Sequence, residues 1–471
     1  MEPTKEQQII LDHANNTEDC LMINALAGCG KSTTLEMIDA VNTTRPSLYL
    51  AFNKKVADDA VKRFASTTTV RTFNALGHRA WAKTQGIHPS INPKKVPDLL
   101  RQVIDEVPKR SRDPLWDTFW PVVHGVALAK ALGYVPEGKF PQATRLISQS
   151  SFHLSLEEVP DDLTADLIDL VLFRSIQAAY KGNLDYNDQV YMPAVFGSVL
   201  PKFPLVLVDE AQDLNPTNHA LLQRLVTVRT IIVGDPHQSI YGFRGAVQSG
   251  MAALAQHFAT TPLDLSVSFR CPSTIVKAAR WRVPHFKWHK EGGHVEALRT
   301  LDYGTIPEQG VFLCRNNAPL VALAFRLLSA GRPIRLAGSD IGPKLIGILR
   351  RLGHADLSRS STLSAIADWQ AERAAKNNTS ASDMADCMRI LANQGTTLGS
   401  AISYAEYLFK QTGSISLMTG HKAKGLEWPV VYHLDPFLCR DDEQDQNLRY
   451  VIITRSQDRY YEVNSRDVQW N

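Results

Sequence analysis

The segment Ala25-Leu-Ala-Gly-Cys-Gly-Lys-Ser32 constrains this chain more than any other, because it joins the apolar run at 20–24 to the helix-compatible residues 33–38. Strand, glycine-rich loop and helix in that order make a phosphate cradle. Gly28 and Gly30 let the backbone curl so that its N–H groups face an anion at a helix N-terminus. Lys31 then reaches the outer phosphates and Ser32 offers a hydroxyl to Mg²⁺. The candidate nucleotide-binding residues are Ala27, Gly28, Cys29, Gly30, Lys31, Ser32 and Thr33. Ala25 stands where the general pattern has its first glycine.

A second segment, Phe203-Pro-Leu-Val-Leu-Val-Asp-Glu-Ala-Gln-Asp213, reads as a buried strand that ends in two carboxylates. Paired with a phosphate loop, this arrangement suits Mg²⁺-dependent phosphoryl chemistry. Asp209 would hold the metal together with Ser32, and Glu210 would orient and deprotonate the attacking water. Both segments together predict a nucleoside triphosphatase.

Composition bounds the rest. A chain of 471 residues has room for roughly three or four compact units. Its 44% hydrophobic and 21% charged residues are those of an ordinary globular protein, and no apolar run approaches the roughly 18 residues that span a bilayer. The start, Met-Glu-Pro-Thr-Lys-Glu, has no secretory pattern, and six cysteines occur without a Cys-x-x-Cys pair. The expectation is a cytoplasmic protein with reduced thiols and no membrane partner. A net charge of +3 does not announce a nucleic acid, so any strand-binding groove must be local. His285, His289 and His294 are read as part of a turn between a helix and a strand rather than as a metal site.

Further along, Thr230-Ile-Ile-Val-Gly-Asp-Pro-His-Gln-Ser-Ile-Tyr-Gly-Phe-Arg-Gly-Ala246 reads as another buried strand opening onto a polar and aromatic loop. Gln238 is placed to sense a terminal phosphate, and Tyr241, Phe243 and Arg244 offer stacking and phosphate contacts. With this motif the chain resembles the UvrD/Rep/PcrA group of superfamily 1A DNA helicases, and its Gly-Asp-Pro-His-Gln variant is similar to the F-box DNA helicase branch. Other segments resemble that group's motifs in the same order: Thr4-Lys-Glu-Gln-Gln8, Leu50-Ala-Phe-Asn-Lys-Lys-Val56, Val70-Arg-Thr-Phe-Asn-Ala-Leu-Gly77, Leu265-Ser-Val-Ser-Phe-Arg-Cys-Pro-Ser273, Ser416-Leu-Met-Thr-Gly-His-Lys-Ala-Lys-Gly-Leu-Glu427 and Asn447-Leu-Arg-Tyr-Val-Ile-Ile-Thr-Arg-Ser456.

The resemblance implies ATP and Mg²⁺ as cofactors and assigns residue roles. Gln7 would read adenine, Phe269 would stack on the base in place of the usual Tyr, and Glu427 would contact the ribose. Arg270 and Arg455 resemble arginine fingers, catalytic together with Lys31, Asp209, Glu210 and Gln238. Where many relatives carry an Arg over adenine this chain has Thr33, which predicts looser selection against GTP. Strand contacts would come from Phe52, Thr72, Phe73, Asn74, Tyr241, Phe243, Arg244 and His421, with aromatic faces carrying bases.

The implied fold class is α/β, with two RecA-like motor domains. The first takes residues 1–83 and 191–262, with a mostly helical insert at 84–190. The second takes residues 263–338 and 415–471, with a reduced insert at 339–414 in which residues 377–382 read as a loop. The implied activity is 3′-to-5′ movement on single-stranded DNA with unwinding at duplex junctions, in replication, repair or recombination. Two alternatives stand beside it. One is a motor subunit of a repair or anti-phage assembly that needs a replication, repair or nuclease partner. The other is an ATP-dependent switch that remodels protein on DNA.

Overall fold

The computed structural model describes residues 2–156, 159–242, 250–337, 341–375 and 380–471. The chain divides into two compact units, Met1–Ala25 with Gly30–Leu265, and Leu26–Cys29 with Ser266–Asn471.

The first unit is built on a six-stranded sheet of β1 (Leu21–Ala25), β2 (Ser47–Ala51), β3 (Thr68–Thr72), β6 (Phe203–Val208), β7 (Val226–Gly234) and β8 (Thr261–Leu265). A minor parallel pair, β4 (Ser90–Ile91) with β5 (Asn183–Leu184), lies in the helical segment between β3 and β6. The spatial order of the large sheet is β3-β2-β6-β7-β1-β8, and every pairing is parallel. Parallel strands covered on both faces need continuous apolar runs, and Leu205, Val206, Leu207 and Val208 in β6 are all fully buried.

Helices Lys95–Asp105, Phe119–Leu132 and Asp162–Tyr180 occupy much of the segment read as an insert. Their buried residues Leu100, Val126 and Leu172 belong to one continuous core with Leu48, Val206 and Ile232 of the sheet. In helix Phe73–Gln85, a Cβ on Gly77 would lie 2.0 Å from the Gln189 carbonyl oxygen, so the close approach of the helix Asp188–Val195 requires glycine there. Buried charge is compensated nearby: Lys95 and Lys130 both pair with Asp188, at 2.6 and 2.7 Å.

The second unit holds β9 (Val267–Ser268), β10 (Lys287–Trp288), β11 (His294–Leu298), β12 (Thr300–Leu301), β13 (Val311–Cys314), β14 (Ile334–Leu336), β15 (Ile415–Thr419), β16 (Trp428–Leu434), β17 (Ser456–Val463) and β18 (Gln469–Trp470). Its large sheet runs β11-β17-β16-β13-β15-β14, again wholly parallel, with minor pairs β9 with β10 and β12 with β18. Helices Ile341–Leu349, Ser380–Gln394 and Leu398–Phe409 share a core with Phe312, Leu417 and Tyr432 of this sheet.

Two local expectations change. Residues 376–379 lie outside the described residues, but helix begins at Ser380, inside the stretch read as a loop. The reason is the helical spacing of Met384, Met388 and Leu391, all buried, which packing rewards over the polar composition upstream. Within the stretch read as a turn, Lys287 and Trp288 form β10 opposite Val267 and Ser268.

Candidate nucleotide site and strand-contacting residues

In the first unit, the carboxyl ends of β1, β6 and β7 lie side by side, the edge at which parallel α/β sheets bind ligands. Helix Lys31–Val41 starts there from Gly30, whose φ of 78° is left-handed, and no side chain caps it. Its first N–H groups are therefore free of a side-chain cap at an anion-favouring terminus. Ser32 Oγ donates to Asp209 Oδ2 at 3.0 Å, across 177 residues of sequence. Asp209 Oδ1 accepts from the Glu210 N–H at 2.9 Å. Lys31 Nζ lies 3.3 Å from Glu210 Oε2.

Glu210 itself has φ 52°, a left-handed conformation that costs a residue with a Cβ about 1–2 kcal/mol. The turn lets two consecutive carboxylates serve one site: Asp209 holds Ser32 while Glu210 meets Lys31. Burial raises the Asp209 pKa above the ordinary carboxylate value, and the neighbouring Glu210 charge adds to the rise against the pull of Lys31, Tyr49 and Ser32. Burial alone would lower the Lys31 pKa, but attraction from Glu210, Asp235 and Asp209 outweighs it and the net shift is upward. A buried carboxylate in excess, faced by a hydroxyl, is a hard-oxygen donor set that suits Mg²⁺.

Gln212 links this cluster to the end of β7. Its Nε2 donates to Glu210 Oε2 at 2.5 Å, and its Oε1 accepts from the Asp235 N–H at 3.0 Å. Gln238, 4% exposed, donates to Asp235 Oδ2 at 2.7 Å. Gln7 lies in the same unit, with Nε2 on Thr34 Oγ1 at 3.0 Å and Oε1 accepting from the Thr4 N–H at 2.9 Å, which closes a capping box. Thr33 is half-buried in the first turn of the phosphate-loop helix.

Of the strand-contacting candidates, Phe52 is 39% exposed and lies parallel to Tyr241, ring centroids 6.5 Å apart and planes 10° apart. Phe73 does not offer a face for stacking: it is 5% exposed because it packs into the core between the sheet and the helices. Thr72 caps helix Phe73–Gln85 by accepting from the Ala75 N–H, and Asn74 donates to the Tyr186 carbonyl at 2.7 Å. Phe243 and Arg244 lie outside the described residues.

In the second unit, the body of the loop is held by neighbours from its own unit. The Ala27 N–H donates to Tyr450 Oη at 3.2 Å, Ser268 Oγ donates to the Ala27 carbonyl at 2.9 Å, and the Phe269 N–H donates to the Gly28 carbonyl at 2.9 Å. A Cβ on Gly28, whose φ is 70°, would fall 2.6 Å from Arg270 Cβ. Cys29 is 2% exposed. Arg270 Nε donates to Glu427 Oε2 at 2.5 Å, and Gln457 Nε2 donates to Glu427 Oε1 at 2.7 Å. Arg455, 2% exposed, donates to the carbonyls of Val451 at 3.1 Å and Leu426 at 3.3 Å. Phe269 is 37% exposed with its ring 5.0 Å from that of His289. His421 sits half-buried in the short helix Gly420–Ala423.

One residue of the first cluster escapes a reading of motifs. Tyr49 on β2 donates its hydroxyl to Asp209 Oδ2 at 2.8 Å. A lone hydroxylated aromatic inside the apolar run Leu48-Tyr-Leu-Ala51 is the signal that could have found it.

Residues 161–259 match the family model of the UvrD/REP helicase N-terminal domain, and residues 414–461 match that of the UvrD-like helicase C-terminal domain. The chain is 24% identical to F-box DNA helicase protein 1 of Schizosaccharomyces pombe, over 97% of this chain and 57% of that protein. It is 24% identical to DNA helicase IV of Escherichia coli, over 96% of this chain and 67% of that protein. ATP-dependent DNA helicase Rep of Escherichia coli is 34% identical over 20% of this chain and 16% of that protein. The chain thus spans a little over half the length of its fission-yeast relative. Among the described residues no helix is long and apolar enough to cross a membrane.

Proposed function

We propose that this chain, which belongs to the UvrD/Rep-like group of superfamily 1A helicases, is an ATP-driven motor that moves 3′ to 5′ along single-stranded DNA and opens duplex ahead of it. Lys31 and the N-terminus of helix Lys31–Val41 hold the polyphosphate. Ser32 and Asp209 would hold Mg²⁺, which when bound neutralises charge on the phosphate oxygens. Glu210 orients the attacking water and takes its proton at a carboxylate oxygen. Gln238 senses the terminal phosphate, Gln7 and Phe269 select the base, Glu427 contacts the ribose, and Arg270 and Arg455 supply positive charge to the phosphoryl in flight.

The observation that carries this reading is the hydrogen-bonded path from Glu210 through Gln212 and Asp235 to Gln238, three residues before Tyr241. Tyr241 and Phe52 present parallel rings 6.5 Å apart, close to twice the roughly 3.4 Å rise of stacked bases. A base taken up or released there is joined by this path to the group that handles the water. Asn74, Thr72 and His421 remain proposed strand contacts.

ATP hydrolysis measured against a series of single-stranded DNA lengths tests the reading. Strong stimulation that rises with length and then saturates is expected of a translocating motor. Turnover indifferent to DNA contradicts it.

A further inference from the structure

Asp209 accepts three hydrogen bonds: the Glu210 N–H on Oδ1, and the hydroxyls of Ser32 and Tyr49 on Oδ2. The three donors differ in kind. The Ser32 hydroxyl is the one that a cation would claim, and the Glu210 amide belongs to the strained turn. Tyr49 belongs to the sheet. It is fully buried on β2, in register with Leu207 of β6, two residues before Asp209. The adjacent backbone is tied as well, since the Asp209 N–H donates to the Leu50 carbonyl at 3.2 Å. The Tyr49 ring rests on Phe64 with centroids 4.3 Å apart.

We infer that Tyr49 is a positioning residue for the metal-holding carboxylate: its hydroxyl fixes the rotation of Asp209 so that an oxygen stays aimed at the cation beside Ser32. The inference rests on the nucleotide-site reading above. Tyr49 touches neither phosphate nor metal and acts only through Asp209. Groups that orient a metal-holding residue in this way typically change metal affinity by about 10–100-fold when removed.

The test uses the full chain, Mn²⁺ as the probe and a non-hydrolysable ATP analogue, with free Mn²⁺ read by electron paramagnetic resonance. Tyr49→Phe removes one oxygen and keeps the ring on Phe64. The expected result is about a tenfold rise in the Mn²⁺ dissociation constant in the ternary complex, with analogue binding in the absence of metal unchanged. In turnover the Mg²⁺ requirement rises by a similar factor, and kcat at saturating Mg²⁺ stays within about threefold. Phe64→Leu keeps the hydroxyl but frees the ring, and a smaller loss of about threefold is expected, so the proposal does not depend on one variant folding. Unchanged Mn²⁺ affinity in Tyr49→Phe overturns it, as does unchanged affinity in Phe64→Leu should Tyr49→Phe fail to fold. Asp209→Asn separates this inference from the reading beneath it. If Asp209→Asn loses Mn²⁺ while Tyr49→Phe does not, Tyr49 is only a core residue. If Asp209→Asn also keeps Mn²⁺, the metal assignment fails and takes the inference with it.

Discussion

Arg270 and Glu427, assigned to the phosphoryl group and the ribose of one nucleotide, form an ion pair with each other, Arg270 Nε to Glu427 Oε2 at 2.5 Å. Their side chains are 20% and 43% exposed, which places the pair among those worth about 0–1 kcal/mol. It is cheap to exchange for contacts with a bound nucleotide. Arg270→Ala is expected to lower kcat about a thousandfold, the scale of an arginine finger. Glu427→Ala is expected to raise KM for ATP several-fold with kcat little changed. Steady-state kinetics on both variants checks the split, and a shared loss of kcat alone contradicts it.

Arg455 is held differently. Its guanidinium is buried and spends hydrogen bonds on the carbonyls of Val451 and Leu426. A lysine keeps the charge but loses the planar fork. Arg455→Lys is therefore expected to bind ATP while turnover falls by about 10²–10³, with a drop in Tm as the carbonyls lose donors. Hydrolysis at the normal rate would show that Arg455 serves the fold rather than the phosphoryl.

Among the described residues, half-buried His219 in the first unit and buried His433 in the second resist protonation. Burial lowers the pKa of His219 to about 4, and burial together with the Arg449 charge lowers that of His433 to about 3, from 6.5 in both cases. The unfolded chain takes up protons below pH 6.5 that the folded chain refuses, so this stability is complete above pH 6.5 and is lost as pH falls toward 4 and 3. The slope is up to about 1.4 kcal/mol per pH unit for each histidine. Urea midpoints at about pH 7 and pH 5 should fall in the wild type and fall less in His219→Gln and His433→Gln. Equal falls in all three would assign the acid sensitivity to other groups.

Base selectivity should be loose. Thr33 has no cation to lay over a purine, and the Gln7 amide is engaged at both ends, by the Thr4 N–H and by Thr34. GTP is expected to support turnover within about a hundredfold of ATP, a difference below roughly 2.7 kcal/mol. A larger preference measured by kcat/KM contradicts this.

What the sequence disclosed is tied to how locally its chemistry is written. Lys31, Ser32, Asp209 and Glu210 stand in short motifs whose backbone geometry follows from glycines and strand ends, and the structure brings these four residues together. The hydroxyl of Tyr49 stands out in its apolar run, but its partner does not, because only the order β2-β6 brings it to Asp209. Phe73 read as a stacking residue because it sits at a strand end, yet the helix it opens turns its ring into the core. The stretches read as inserts were chosen because they lack motifs. Their cores run on into the sheets, through Leu100 and Val206 in one unit and Met388 and Phe312 in the other, which no spacing of motifs reveals.

Coupling of hydrolysis at the Lys31, Asp209 and Glu210 cluster to directional opening of DNA is the proposal on which the other roles depend. It is tested most directly by ATP-dependent strand separation on matched duplexes bearing a 3′ or a 5′ single-stranded tail, with Lys31→Ala as the inactive control. Opening of the 3′-tailed duplex alone, abolished in Lys31→Ala, is the expected result. Opening of the 5′-tailed duplex, or of neither while DNA still stimulates hydrolysis in the same reactions, would contradict an autonomous 3′-to-5′ helicase.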